Sequence, residues 1–222
     1  LRFEENGGSV AHDETGVMDG EFNSFMPTEP GGGDSGYRGW STDVPLSAIP
    51  LTGAANSGSI RFAGGSEFID LSNYNDLLLG TSFTIEMFIK PDVLAAQYGA
   101  TLFGFSPGAG LSMSIGREGD GTLYYQHNMM GYRVFGPLPE LRIDEWQHLA
   151  LVKDPGTYSI YLDGVLAVQD ILGSATVGPY NFPGVGTFGT RTIGTFRGYI
   201  DEFRISDTSL TPDQFLIVPE PG

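Results

Sequence analysis

The sequence predicts an all-β protein, built as a two-sheet antiparallel β-sandwich. Segments of alternating apolar and polar residues follow one another, with turn residues between them at roughly 8–12-residue intervals. Glycine (33) and proline (14) supply those turns, while 40% hydrophobic and 12% aromatic residues are enough for a buried core. A sandwich of this length is one domain, which we assign to residues 1–217.

The first quarter of the chain predicts few strands. Residues 1–5 are expected to form a first strand, followed by a loop rich in Gly, Asp and Asn. Residues 27–56 are rich in Gly, Pro and Ser and show no periodicity, which is unusually long for a structureless loop. We interpret residues 27–56 as a surface excursion and a candidate functional insertion. Two strands follow, at Ser59–Ala63 and Glu67–Leu71.

The middle of the chain predicts most of the sheet. In Ser82–Lys90, large apolar residues occupy every second position and Pro91 ends the run, which is typical of a central strand. Turn residues such as Asp154–Gly156 and Asp163–Gly164 separate the later segments and predict hairpins. The other predicted strands are Thr101–Phe105, Leu111–Ile115, Thr122–Gln126, Tyr132–Phe135, Gln147–Lys153, Tyr158–Leu162, Val165–Gln169 and Arg191–Ile193.

The last predicted strand, Tyr199–Ile205, runs into one short C-terminal helix. Strict alternation predicts one face of Tyr199, Asp201, Phe203 and Ile205, and an opposite face of Ile200, Glu202 and Arg204. Thr211, Pro212 and Gln214 match the start of a helix with a capping box. A carboxylate on an apolar face is costly to bury unless it is hydrogen-bonded or bound to a cation, which makes Asp201 a candidate site residue.

Four segments together resemble a known family. They are Phe3–Gly8 with Asp13–Gly16, Ser82–Pro91, Trp146–Gly164 and Gly198–Phe215, and they occur in the family's order. They resemble LamG-like jelly-roll domains of the concanavalin A-like lectin/glucanase group. The resemblance spans nearly the whole chain and implies a jelly-roll sandwich, but this fold hosts many functions.

Charge and composition exclude several classes of function. The chain has 27 acidic and 11 basic residues, for a net charge of −16, so it lacks the positive surface that a nucleic-acid-binding protein needs. Anionic membranes are disfavoured for the same reason, and no apolar run approaches the length of a membrane span. There is no cysteine, which removes disulfides and thiolate chemistry. Neutral sugars, cations and other proteins remain as partners.

The sequence does not favour an enzyme. The Glu-x-Asp-x-x-Glu pattern of glucanases with this fold does not occur, so no pair of carboxylates at the required separation is expected. The three histidines, His12, His127 and His148, have no nucleophile-elbow motif near them, and His148 is predicted to be a packed strand residue. A glycan-active enzyme is therefore the least favoured of the functions considered.

A structural calcium site is expected from the resemblance. The opening loop offers Asp13, Glu14 and Asp19, and calcium prefers carboxylate and carbonyl oxygens. LamG-like domains often hold a calcium ion between the opening loop and the last strand, which implies Asp13 and Asp201 as ligands and Asp19 as a third. The alternative is that Asp13 caps a turn and that Asp201 accepts backbone N–H groups.

Exposed aromatic residues are the candidates for sugar stacking, because aromatic faces pack on sugar rings while polar neighbours bind the hydroxyls. Tyr37 and Trp40 lie in the excursion, and Tyr124 and Tyr132 lie on two neighbouring strands. The alternative is that these side chains only pack against the protein.

The final residues, Val218–Gly222, resemble the start of a PEP-CTERM sorting signal of Gram-negative bacteria, without its hydrophobic helix and basic cluster. We therefore expect a secreted or cell-surface bacterial protein, whose signal peptide and anchor are absent from this chain. The predicted function is a calcium-stabilised, non-catalytic binding or adhesion module that recognises extracellular polysaccharide or a cell-surface protein. The alternative is a self-associating structural subunit of an envelope, filament or extracellular matrix.

Overall fold

The computed structural model of the chain describes residues 1–5, 7–16, 19–22, 39–64, 68–71, 81–92, 100–104, 112–117, 123–128, 132–137, 141–171, 184–185 and 196–217. Within these ranges, two antiparallel sheets face each other and one short 3-10 turn lies near the C-terminus. The predicted all-β sandwich is therefore confirmed. No helix in the described ranges is long and apolar enough to cross a membrane.

The eight-stranded sheet has the order β1-β2-β5-β14-β7-β8-β9-β10. Its strands are β1 (Val10–Ala11), β2 (Gly20–Phe22), β5 (Ile69–Asp70), β7 (Ala100–Gly104), β8 (Ser112–Arg117), β9 (Leu123–Asn128), β10 (Tyr132–Pro137) and β14 (Gly184–Val185).

The seven-stranded sheet has the order β13-β12-β11-β6-β15-β4-β3. Its strands are β3 (Gly39–Ser41), β4 (Ser59–Ala63), β6 (Phe83–Pro91), β11 (Gln147–Asp154), β12 (Thr157–Leu162), β13 (Val165–Ile171) and β15 (Arg197–Ser206). The last strand of the described residues, β15, thus lies in the interior of this sheet, between β6 and β4.

The hydrophobic core lies between the two sheets. In β6 the side chains of Phe83, Ile85, Met87 and Ile89 point into it, as the alternation predicted. The other face of the seven-stranded sheet is also covered, because Ile49 packs on Phe88 and Phe215 packs on Ala150 and Val152. Polar residues on this outer face are consequently buried, and that is where most of the unusual chemistry is found.

A β-bulge in β15 overturns the predicted assignment of faces. The pairing with β6 shifts between Asp201 and Arg204, and Glu202 has a left-handed backbone with φ of 50°. One extra residue reverses the alternation that follows it. Ile200 and Phe203 therefore both enter the core, whereas Tyr199 and Asp201 lie on the outer face, opposite Lys90 and Phe88.

The beginning of the chain also differs from the prediction. Residues 1–5 are not a strand: Phe3 is buried with φ of 61°, and Glu4 and Glu5 form a turn. The backbone nitrogen of Leu1 instead donates a hydrogen bond to the Phe203 carbonyl at 2.7 Å, just beyond the bulge. The first strand of the structure is Val10–Ala11.

The C-terminal helix and the remaining strands agree with expectation where they are described. The helix is a single 3-10 turn at Pro212–Gln214, and the Gln214 Oε1 atom accepts the Thr211 N–H at 3.0 Å. The predicted strand Arg191–Ile193 and the tail 218–222 lie outside the described residues.

At Gly198, near the start of β15, the backbones of β15 and β6 approach each other closely. Its φ is 138°, and a Cβ there would lie 2.3 Å from the Lys90 carbonyl oxygen. We expect Gly198→Ala to lower the free energy of unfolding by several kcal/mol, because both backbone strain and a steric clash oppose it. Urea unfolding measures this, with Gly53→Ala as the matched control, since Gly53 also has a positive φ (68°) but has open space around it. Equal losses in the two variants would contradict the close approach.

Candidate functional site

The predicted aromatic residues that the structure describes lie on three different strands. Trp40 is half-buried in β3, where its ring packs edge-on against Phe22 (centroids 5.2 Å apart) and its indole N–H donates to the Gly8 carbonyl at 3.1 Å. Tyr124 pairs with Pro137 and Tyr132 pairs with Asn128, so these two tyrosines lie at opposite ends of the β9–β10 pair. Tyr37 lies outside the described residues. Their proposed role in sugar binding stays a prediction.

Two of the three predicted metal ligands are neighbours in the opening loop. The backbone N–H of Asp13 donates to Asp19 Oδ1 at 2.8 Å, and His12 Nδ1 lies 3.0 Å from Asp19 Oδ2. Both hydrogen bonds lower the pKa of Asp19, and the one from the Asp13 N–H has the larger effect. Thr15 also donates to the Asp13 carboxylate, so the loop forms its own hydrogen-bonded turn.

Asp201 belongs to a different environment, inside the protein at the bulge. Its side chain is fully buried and accepts hydrogen bonds from Asn56 Nδ2 at 2.9 Å and from the Glu202 N–H at 2.8 Å. Burial, with the Glu202 charge adding to it, raises the pKa of Asp201 to about 8. Asp201 is thus a carboxyl group whose ionised form needs a positive partner.

The neighbouring Glu202 is also a buried carboxyl group. Its carboxylate lies 3.2 Å from the Nε atom of Arg2, and that ion pair favours the charged form. Burial outweighs the arginine, however, and raises the pKa of Glu202 to about 7. The bulge therefore places two adjacent acidic side chains in a poorly solvated position.

Among the described residues, the surroundings of Asp201 alone suit a cation better than the predicted combination of Asp201 with Asp13 and Asp19. No three His, Cys, Asp or Glu side chains within the described ranges converge to hold a metal, so Asp13, Asp19 and Asp201 do not form one ligand group. Asn56, however, touches Asp201, and its Oδ1 atom is buried with no hydrogen-bond partner. An unpaired amide oxygen beside a buried carboxylate matches the oxygen ligands that calcium prefers.

A second site lies on the outer face of the seven-stranded sheet, where β4, β6 and β15 run side by side. We call it the Tyr199 cluster, and it comprises Asp43, Arg61, Lys90, Asp92, Trp146 and Tyr199. Tyr199 is paired in register with both Arg61 and Lys90. The Arg61 Cζ and Lys90 Nζ atoms lie 5.4 and 5.5 Å from its ring centroid, within the range of cation–π attraction.

Hydrogen bonds fix the polar members of the Tyr199 cluster. Asp43 accepts Lys90 Nζ at 2.7 Å on one oxygen and Trp146 Nε1 at 2.9 Å on the other. Burial alone would raise the pKa of Asp43, but these two bonds hold it below its usual range. Arg61 donates to Asp92 at 2.7 Å. The cluster is partly exposed: 39% of the Asp43 side chain is open to solvent, against 21% of Lys90, 18% of Arg61 and 15% of Asp92.

The Tyr199 cluster is not predicted by the sequence patterns. Its members come from residues 43, 61, 90, 92, 146 and 199, and strict alternation assigned Tyr199 to the face of Phe203. One signal was available: Lys90 alternates with the core positions of β6, which predicts that it points outward.

Glu86, His148 and Arg204 form a third polar group, buried beneath the C-terminal residues. His148 Nε2 lies 2.8 Å from Glu86 Oε2, and Arg204 bonds the other carboxylate oxygen. The Leu216 N–H also donates to Glu86, and both Glu86 and His148 are fully buried. Although burial alone would raise the pKa of Glu86, the His148 and Arg204 interactions keep it low. His148 is a packed strand residue, as predicted.

Access decides what these carboxylates can do. Perturbed pKa values often mark catalytic acids, and Asp201 and Glu202 have them. A catalytic acid must reach its substrate, however, and Asp201, Glu202 and Glu86 are all buried. The Tyr199 cluster, by contrast, is partly open to solvent.

The sequence matches a known superfamily, and the fold matches solved structures. The profile of the concanavalin A-like lectin/glucanases superfamily matches residues 63–215. Domain 4 of AbnA, a GH43 extracellular arabinanase from Geobacillus stearothermophilus solved with arabinotriose, superposes with a TM-score of 0.65 and 19% identity, covering 96% of this chain and 97% of that one. No curated protein matches the sequence.

Two other solved structures are similar at a lower level. The SAP-like pentraxin of Limulus polyphemus gives a TM-score of 0.50 and 16% identity, over 62% of this chain and 69% of that chain. Trypanosoma rangeli sialidase, solved with 2,3-difluorosialic acid, gives 0.59 and 13% identity over 95% of this chain. This chain spans 30% of the sialidase chain. At these identities the likeness concerns the fold.

The buried acids at the bulge predict how stability depends on pH. The folded pKa of Asp201 (about 8) exceeds its ordinary value of 3.8, so between these values the folded state binds the proton more tightly. In metal-free buffer the free energy of unfolding should therefore fall as pH rises from about 5 to about 8, by at most about 1.4 kcal/mol per pH unit for one carboxyl. Glu202 adds in the same direction up to about pH 7.

Urea unfolding at several pH values in this window measures the slope. Asp201→Asn should make the slope shallower, because the amide does not titrate and only Glu202 still contributes. An unchanged slope in Asp201→Asn would contradict the assignment.

Proposed function

This chain belongs to the concanavalin A-like lectin/glucanase superfamily, and from that premise we propose that it is a non-catalytic carbohydrate-binding module. The observation that carries the proposal is the Tyr199 cluster: two partly exposed aromatic rings, with centroids 6.1 Å apart, are surrounded by hydrogen-bonding side chains that are held in place. The partner is an extracellular polysaccharide or the glycan of a cell-surface protein.

The chemistry of the Tyr199 cluster suits a sugar. Trp146 and Tyr199 offer apolar ring surface for the C–H face of a pyranose or furanose ring. Asp43 accepts hydrogen bonds, and Lys90 and Arg61 donate them, so sugar hydroxyls find both kinds of partner. The arabinanase domain with the same fold was solved with arabinotriose, which supports a carbohydrate ligand.

The absence of catalysis is part of the proposal. The two acids with raised pKa values, Asp201 and Glu202, are enclosed by protein, and Glu86 has both oxygens engaged by His148, Arg204 and Leu216. Such a carboxylate is suited to holding the C-terminal residues on the sheet rather than to attacking a glycosidic bond.

A calcium ion is proposed as a structural component. Asp201 and Asn56 would hold it, and the ion would supply the positive charge that the buried carboxylate lacks. The opening-loop residues Asp13 and Asp19 remain candidates for a separate contribution. Held at Asp201, the cation would stabilise the bulge, on which the outer face of the sheet depends.

We further propose that the protein is exported to the bacterial cell surface or the extracellular matrix. The support is the Val218–Gly222 sequence and its similarity to a PEP-CTERM signal.

Self-association is the second candidate function, and one observation favours it. β13 is an edge strand of the seven-stranded sheet, and its first residues, Val165 and Leu166, are 69% and 48% exposed. Exposed apolar residues on an edge strand promote pairing with another chain.

The carbohydrate proposal predicts that changes in the Tyr199 cluster remove binding. We expect Tyr199→Ala and Asp43→Ala to reduce retention on polysaccharide columns by about tenfold or more, since each removes about 1–3 kcal/mol of interaction. Asp207→Asn, an exposed carboxylate outside the cluster, is the charge-matched control for Asp43. Melting temperatures of all variants confirm that they are folded.

Alanine variants of the aromatic residues predicted from the sequence test whether the sugar binds elsewhere. If Tyr37→Ala, Trp40→Ala, Tyr124→Ala or Tyr132→Ala removes retention while the cluster variants bind normally, the site lies elsewhere on the domain. If no polysaccharide is retained and light scattering shows large assemblies, self-association replaces carbohydrate binding.

The calcium proposal has its own test in thermal unfolding. Millimolar calcium should raise the melting temperature of the metal-free protein near pH 8, because a ligand that binds the folded state stabilises it by about 2.7 kcal/mol at a hundredfold excess over its Kd. Asp201→Asn should abolish the increase, whereas Asp19→Asn should retain it if the opening loop is not part of the site. An unchanged melting temperature after chelation of the wild-type protein would contradict the proposal.

A further inference from the structure

We infer that the Tyr199 cluster selects uncharged polysaccharides that carry vicinal hydroxyl groups, and that it discriminates against polyuronates and other anionic glycans. This inference rests on the proposed carbohydrate-binding function and specifies its ligand class. It follows from how the charges of the cluster are paired.

The cations around Tyr199 are matched by carboxylates. Lys90 lies 2.7 Å from Asp43, and Arg61 lies 2.7 Å from Asp92. Arg197, at the rim and 53% exposed, lies 3.7 Å from the same Asp92 oxygen. Asp144 is close enough to contribute, after Asp43, to raising the pKa of Lys90. Three positive and three negative side chains therefore give no local excess of positive charge.

An anionic sugar gains little from such an arrangement. Two unit charges about 4 Å apart interact by about 4 kcal/mol near a protein surface, but a bound carboxylate would meet Asp43 or Asp92 at a distance similar to that of Lys90 or Arg61. Attraction and repulsion then largely cancel. The net charge of −16 on the whole chain adds a repulsion that salt screens only beyond about 8 Å.

A neutral diol gains from the same pairing. A vicinal diol presents hydroxyls that donate and accept, and here an acceptor, Asp43, lies beside donors, Lys90 and Arg61. The ion pairs already hold these side chains in place, so little conformational entropy is lost when the sugar binds. Trp146, held by its own bond to Asp43, presents apolar surface next to those groups.

Affinity electrophoresis tests the inference with polymers of known charge. Native gels would contain either neutral polymers (arabinan, xylan, galactan or β-glucan) or polyuronates (polygalacturonate or alginate). We expect the wild-type protein to be retarded by at least one neutral polymer and by neither polyuronate. Retardation should change by less than about twofold between about 50 and about 500 mM NaCl, because no net ion pairing is involved.

A charge-removing variant makes the test sharper. Asp43→Asn keeps the shape of the side chain but leaves Lys90 without its carboxylate partner. The double variant Asp43→Asn/Asp92→Asn also leaves Arg61 without its carboxylate partner. We expect these variants to lose about tenfold in affinity for the neutral polymer and to acquire polyuronate retardation that disappears at high salt. Asp207→Asn, which removes the same charge elsewhere, should do neither.

Each outcome is decisive. Salt-sensitive retardation of the wild-type protein by a polyuronate would overturn the inference while leaving carbohydrate binding intact. If Asp43→Asn and Tyr199→Ala both leave the retardation by a neutral polymer unchanged, the assignment of the site to the Tyr199 cluster is overturned. Absence of retardation by any polymer would instead count against the proposed function itself.

Discussion

The β-bulge at Asp201 and Glu202 is the constraint on which the rest of the structure depends. β15 lies in the interior of the seven-stranded sheet, and beyond the extra residue the alternation of its core-facing side chains is reversed. Ile200 and Phe203 can both be buried between the sheets because of it. The same shift confines two carboxyl groups to a poorly solvated place, where their pKa values rise. Core packing and buried charge are therefore linked at one point of the backbone.

The bulge also organises the outer face of the sheet. On its N-terminal side, Tyr199 stands between Arg61 and Lys90 and forms the accessible cluster. On its C-terminal side, Arg204 joins Glu86 beneath the residues that end the domain. One face of one sheet thus carries an open aromatic and charged surface at one end and a closed polar group at the other. Stabilising the bulge, which we propose calcium does, would support both.

Much of the fold could be predicted from the sequence, whereas the site could not. Strands such as Ser59–Ala63 and Phe83–Pro91 have a clear two-residue alternation, and the structure contains them. The bulge has no signature of that kind, since Glu202 rather than glycine adopts the left-handed conformation, and Tyr199 was therefore placed on the wrong face. The Tyr199 cluster draws on positions between 43 and 199. The pairing of β15 with β4 and β6 brings Arg61 and Lys90 to Tyr199, and hydrogen bonds join Asp43 and Trp146 to them.

The most direct measurement follows the two tryptophan indole N–H resonances in a ¹H–¹⁵N spectrum while a neutral oligosaccharide is added. The chain has two tryptophans, Trp40 and Trp146, so the signals can be assigned with a single Trp40→Phe variant. The Trp146 proton, which bonds to Asp43, should shift with saturation, while that of Trp40, directed at the Gly8 carbonyl, should stay. A sugar that binds but moves the Trp40 signal, leaving Trp146 unchanged, would contradict the proposed site.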